Sequence, residues 1–151
     1  MRAQVNVANV YTKLGRVEEA LESWRHTWKL FQATDDLETK LTVAGNLATS
    51  LVRTERYAEG KEFCREQIAI AEQHGLSAQK VGIDLKDTLA SALLTENKFC
   101  AEDLREALAI FEAIVPMSRR LFGGQHPRTK LLETNFTMAR VRGTFLFPKE
   151  G

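Results

Sequence analysis

Apolar residues recur along this chain at the three-to-four-residue spacing of helices that bury one face. Leu21, Trp24, Trp28 and Phe31 make one such run, and Phe63, Ile68 and Ala71 another. Turn signals separate the runs at Gly15-Arg16, Thr34-Asp35-Asp36, His74-Gly75 and Gly123-Gly124. The pattern predicts helices over 3–14, 17–33, 36–54, 57–74, 78–96, 104–122 and 127–144. Asp35, three residues before Glu38, is placed to cap the third helix by accepting from its free amides, and Ser77 to do the same for the fifth. Pro116 lies inside the sixth helix and is expected to kink or split it, because it removes a hydrogen bond and crowds the preceding turn.

The runs repeat. Asn6-Val7-Ala8 aligns with Asn46-Leu47-Ala48, Thr88-Leu89-Ala90 and Asn135-Phe136-Thr137, at intervals of 40, 42 and 47 residues. Val17-Glu18-Glu19-Ala20 aligns in turn with Tyr57-Ala58-Glu59-Gly60. Small residues at Ala8 and Ala20 suit two helices whose backbones approach closely, and Tyr11, Val17 and Trp24 fill the remaining space. In the third unit, direct counting puts charged Glu102 and Glu106 at buried positions. A shift of five residues brings Leu104, Ala107 and Phe111 there instead, so Phe99–Asp103 reads as an insertion in the turn between that unit's helices. The units run over about 1–35, 36–77, 78–126 and 127–151, the last of them partial.

The segment Asn6-Val7-Ala8-x-x-Tyr11-x-x-Leu14-Gly15-Arg16-Val17-Glu18-Glu19-Ala20-Leu21 resembles a tetratricopeptide repeat. The longer period and Arg119-Arg120-Leu121-Phe122-Gly123-x-x-His126-Pro127-x-Thr129 resemble the kinesin light chain variety, whose repeats end in a similar junction. In that junction Gly123 ends one helix, and Pro127 starts the next where its missing amide costs nothing. Thr137 in place of a small residue, the insertion and the missing second helix of the last unit depart from the pattern. The resemblance implies an all-α fold: a right-handed superhelical solenoid of about three antiparallel helix pairs and a final helix, in one domain over 1–151. With no capping residue before the first helix and an abrupt stop after Phe145-Leu146-Phe147-Pro148, the chain reads as a segment of a longer solenoid.

Composition removes several classes of function. Hydrophobic residues make up 44% and the formal net charge is +1, which argues against a disordered chain. The longest charge-free stretch, 41–52, is 12 residues, against the roughly 18 that a transmembrane helix needs. The start lacks the apolar core of a signal peptide, so a reducing, cytoplasmic setting is expected. Cys64 and Cys100 sit in no CxxC and read as buried or half-buried thiols in apolar surroundings. His26, His74 and His126 have no second ligand at zinc spacing and read as solvent-facing or turn residues. Gly123-Gly124 is followed by Gln-His-Pro rather than a phosphate-binding Lys-Ser/Thr, no base lies beside either cysteine, and no nucleophile-elbow pattern is present. No cofactor, no metal and no enzymatic activity are expected.

Charge is uneven. Residues 1–116 balance at −4, whereas 117–151 hold 7 basic and 2 acidic residues, among them Arg119, Arg120, Arg128, Lys130, Arg140 and Arg142. A solvated face is the simpler reading, and nucleic-acid binding the weaker one, since no aromatic side chains interleave with the basic ones. Trp24 and Trp28 share a helical face that suits packing between units better than a ligand shelf.

The resemblance also implies where a ligand would lie. Stacked helix pairs curve, and the first helix of each pair lines the concave side. The family's groove positions fall on Asn6, Asn9 and Lys13 in the first unit, and on Asn46, Thr49 and Arg53 in the second. In the third they fall on Asp84, Asp87, Thr88, Ser91, Leu94 and Thr95, and in the fourth on Asn135 with the more apolar Leu131, Met138 and Val141. Asn6, Asn46 and Asn135 share one repeat position, and amides both donate to and accept from an extended peptide backbone. Lys13 and Arg53, on adjacent units, suit a carboxylate. The leading expectation is a scaffold that binds a peptide or partner domain in this groove. The alternatives are a structural or regulatory solenoid within a larger protein and, more weakly, nucleic-acid binding through the basic end.

Overall fold

The computed structural model describes residues 1–95 and 100–148. Among them every regular element is helical: α1 (Arg2–Lys13), α2 (Val17–Phe31), α3 (Leu37–Arg53), α4 (Tyr57–Gln73), α5 (Lys80–Thr95), α6 (Ala101–Phe122) and α7 (Pro127–Leu146). Each packs on its chain neighbours, and α3 also packs on α5. Tight turns reverse the chain between helices, which gives an α-solenoid of antiparallel pairs.

The repeated small and large residues are the packing. Ala8, Ala48 and Ala90 are fully buried, as are Ala20, Gly60 and Ala107 on the second helices, where backbones meet. Trp24, Cys64 and Phe111 fill the matching large position and are buried too. The five-residue shift in the third unit is therefore needed, since it is Ala107 and Phe111 that occupy the core. Trp24 also donates from Nε1 to Thr12 Oγ1 at 3.1 Å, so its polar atom is matched as well as its rings. Trp28 is half-buried and meets Phe63 edge-on at 5.4 Å between centroids.

Three turns share one hydrogen-bond pattern. Arg16 N–H donates to Tyr11 O, Arg56 N–H to Leu51 O and Leu76 N–H to Ala71 O, around a residue with φ of 71° at Gly15, 61° at Glu55 and 71° at Gly75. This is the six-to-one closure that satisfies a helix's last carbonyls through one left-handed residue. Glu55 takes that conformation without glycine's freedom, so the middle turn carries strain that the other two avoid.

Several local expectations need correction. Asp36, not Asp35, caps α3, with Oδ1 accepting from Thr39 N–H at 3.1 Å. Capping from this position leaves Leu37 inside the helix, packed against the Leu41, Ala71, Val81 and Leu85 cluster. Ser77 accepts from Lys86 Nζ rather than capping α5, which starts at Lys80. Pro116 does not split α6: it sits on the exposed side, with Glu112 one turn back equally exposed, so the carbonyl it orphans faces water. Ala101, Glu102 and Asp103 are no turn insertion but the first turn of α6, where Asp103 accepts from Cys100 N–H at 2.9 Å. Cys100 is correspondingly exposed, not buried. Phe99 and the end of the predicted fifth helix at 96 lie outside the described residues, as do 149–151.

Candidate functional site

The inner helices α3, α5 and α7 bound two adjoining cavities. One, of about 490 Å³, is lined by α3 and α5 residues including Asn46, Thr49, Arg53, Thr88 and Ser91, and by Arg128 at the start of α7. The other, of about 530 Å³, lies between α5 and α7 and is lined by Leu94, Asn135, Met138, Val141 and Arg142, with Ser91 shared between the two. Thus the structure brings the expected groove residues Asn46, Thr49, Arg53, Ser91 and Asn135 to these cavities, with Thr88, Leu94, Met138 and Val141 beside them. Asn6, Asn9 and Lys13 are exposed on α1 and line neither cavity.

Helix geometry sets what these side chains offer. Thr49 Oγ1 donates to Gly45 O at 2.9 Å and lies 3.4 Å from Thr88 Oγ1 where α3 meets α5. Thr88 Oγ1 donates to Asp84 O. Both hydroxyls keep oxygen lone pairs for a further donor. The half-buried Asn46 and Asn135 amides form no side-chain hydrogen bond with described residues. Arg53 is exposed and forms no ion pair with described residues.

The floor of the first cavity holds a charge cluster that sequence reasoning missed. Arg128 reaches from α7 to Asp84, and its second contact is with Asp87 at 3.5 Å, while Lys80 donates to Asp84 at 2.7 Å. Burial pushes the Asp87 carboxyl above the ordinary Asp range; Arg128 opposes that shift and Asp84 adds to it. Asp87 Oδ1 and Arg128 Nε are buried without hydrogen-bond partners among the described residues. Asp84 and Asp87, three apart on a helix, share a face, but nothing local announces a cation some 40 residues on.

Arg128 belongs to the junction that fixes α7. His126 stacks on Phe122 at 4.9 Å and caps the helix, its Nδ1 accepting from Arg128 N–H at 3.1 Å. Pro127 opens α7, and Thr129 forms a buried 2.8 Å hydroxyl pair with Ser118 of α6. The three histidines are all exposed, and no group of His, Cys, Asp or Glu among the described residues has metal-site geometry. Burial pushes the Cys64 thiol up to about 12, which leaves it unreactive at neutral pH. At the basic end, Arg119 pairs with Glu133, Arg140 lies over the Phe136 ring, and Arg142 donates to Leu94 O. Much of that charge serves contacts within the chain.

A protein from Podosopora anserina, described as a kinesin light chain of nearly identical TPR-like repeats, matches this fold with a TM-score of 0.78. The match covers 91% of this chain and 64% of that one, at 19% identity. BtubC (BKLC) from P. vanneervenii matches with a TM-score of 0.75 over 89% of this chain and 52% of that one, also at 19% identity. The fold is a TPR-like helical repeat. At this identity the likeness is one of fold, and the chain spans less than two thirds of the length of either structure. No family model and no curated protein sequence matches the chain. TPR-like repeats are generally scaffolds for protein interaction, and no helix of the described residues is long and apolar enough to cross a membrane.

Proposed function

We propose that this chain is a non-catalytic scaffold that binds an extended segment of a partner protein along its concave face. The observation that carries the proposal is the first cavity's wall. Asn46, Thr49, Thr88 and Ser91 present amide and hydroxyl groups along one open groove, with Arg53, exposed and forming no ion pair with described residues, at its side. Such groups meet a peptide backbone whatever its sequence, and Arg53 adds a preference for a carboxylate. Asn135 continues the repeat position of Asn46 onto α7, and Asn6, Asn9 and Lys13 carry the positions of Asn46, Thr49 and Arg53 onto α1 beyond the cavities. Two free thiols suit a reducing, cytoplasmic setting.

The test is a random-peptide display selection on the intact chain, followed by titration of selected acidic peptides. Arg53→Glu should weaken them about tenfold or more, near 1.4 kcal/mol, with the melting curve unchanged. Lys13→Glu, outside the cavity, should do less. Equal binding by Arg53→Glu and wild type at low salt would remove the site from this groove.

A further inference from the structure

Helix α7 is apolar on two opposite faces. Thr129, Leu132, Ala139 and Gly143 are buried on one. On the other, Leu131, Met138, Val141 and Phe145 are 53, 64, 51 and 81% exposed. At about 100° per residue the two stripes lie roughly 150° apart. A third face is polar and already matched: Glu133 holds Arg119, and Arg140 covers Phe136.

Packing of the solenoid does not account for the outer stripe. By the Asn46/Thr88/Asn135 alignment, its equivalents are Thr42, Thr49 and Val52 on α3, and Asp84, Ser91 and Leu94 on α5. Those residues line the cavities; Val52 and Leu94 also pack in part on neighbouring helices, and Asp84 is held by Arg128. Only on α7 is this position made apolar along nearly the whole helix. Leu131, Met138 and Phe145 are seven residues apart, and Val141 follows Met138 by three. This is the spacing of a seam between two helices. The stripe runs about 21 Å along a single helix axis, whereas an extended segment crossing the repeats would meet only one or two of its residues. Lys130 and Arg142 flank it on either side, and Glu133, held by Arg119, is the one acidic residue of α7.

We infer that the outer stripe of α7 seats an amphipathic helix of a partner protein, with apolar residues on a heptad seam and carboxylates along its flanks. The inference rests on the concave side being the binding face, yet it assigns a different ligand shape to a different half of that face. A second copy of this chain fits less well. Two α7 stripes set face to face bring Lys130 and Arg142 of both copies to one seam, and the one carboxylate of α7, Glu133, is already held by Arg119.

The probe is a synthetic three-heptad helix with Leu on the seam and Glu on the flanks, titrated by fluorescence anisotropy against the full chain. Its Lys-flanked counterpart and a scrambled Glu peptide serve as controls. The Glu helix should bind, and each control about tenfold or more weaker. Met138→Asp and Phe145→Asp should each weaken the Glu helix by a similar factor with an unchanged helical spectrum, because both side chains are exposed. Arg53→Glu should leave it unaffected, which separates this site from the polar half of the groove. No binding of the Glu helix, equal binding of the scramble, or equal binding by Met138→Asp would each overturn the inference. So would a homodimer in sedimentation that Met138→Asp dissolves, which would make a second copy the occupant.

Discussion

The first and last helices of the solenoid both show apolar stripes to solvent, and the two stripes differ in kind. On α1 the stripe is Ala3, Val7, Val10 and Leu14, with Val10 52% and Leu14 64% exposed. Shifted by one repeat, the first three of these positions become Val43, Leu47 and Ser50 on α3, then Leu85, Leu89 and Ala92 on α5, and all six are buried. On α7 the same register gives Leu132 and Ala139, buried on α6. The α1 stripe is thus a packing seat, the face that elsewhere receives the preceding helix. The α7 stripe occupies positions that elsewhere stay open to the groove. Exposure alone scores the two ends alike; repeat register separates a packing surface from the surface proposed to bind.

The largest test of that distinction is Leu132→Ala, which removes a fully buried side chain from α7's seat on α6. We expect urea denaturation to show a loss of about 2–5 kcal/mol, the range for truncating a buried leucine. Thr129→Val should cost less, about 1–3 kcal/mol, because it leaves the Ser118 hydroxyl buried without its partner; thermal melts would read it. The turns offer a gain in place of a loss. Glu55→Gly should stabilise by about 1 kcal/mol, since Gly15 and Gly75 already fill the matching left-handed positions. Val7→Thr and Met138→Thr should each move stability by no more than about 0.5 kcal/mol, and only the second should touch binding of an acidic helix. A large loss of stability from Met138→Thr would return the α7 stripe to the packing class.

The smallest effect we expect is set by pH. Hydrogen bonds from the Thr39 side chain and backbone hold the Asp36 carboxyl below its ordinary range, and the Cys100 backbone N–H does the same for Asp103. A lowered folded-state value means that stability is present above the ordinary Asp pKa and lost as pH falls through the lowered one. Asp36→Asn and Asp103→Asn should therefore flatten the acid limb of a stability–pH curve. Helix α1, which has no side-chain cap, contributes nothing comparable there.

Much of the fold was legible because the repeat imposes it. Ala8, Ala20 and Trp24 recur as small and large residues at fixed intervals, and a core of stacked pairs accepts only that register. The junction from Phe122 to Thr129 was readable for a similar reason, since Gly123 and Pro127 act through their own backbones. What escaped the sequence was decided by distance or by small choices. Asp35 and Asp36 are adjacent and equally able to cap, so the sequence does not distinguish them, and the structure uses the second. Cys100 has apolar neighbours in sequence but lies just before a helix start, facing water. Glu55 gives no glycine signal for the turn it makes. In the groove, the polar row and the apolar share of α7 were readable position by position. The Asp84, Asp87 and Arg128 cluster was not, because it joins two repeats.

Arg128 and Thr129 are adjacent in the chain yet hold different helices, Arg128 the carboxylates of α5 and Thr129 the hydroxyl on α6. Two anchors about 100° apart around one cylinder act as a wrench: they fix the roll of α7 about its own axis as well as its position. The azimuth of every residue downstream is then set from this one turn. Inserting a single residue between Thr129 and Leu131 would leave both anchors in place and swing the rest of the helix by about 100°. Met138 would turn away from the groove, and a polar residue would be driven toward α6. The spacing between anchor and stripe is therefore a dimension of the proposed binding surface, as much as the residues that form it.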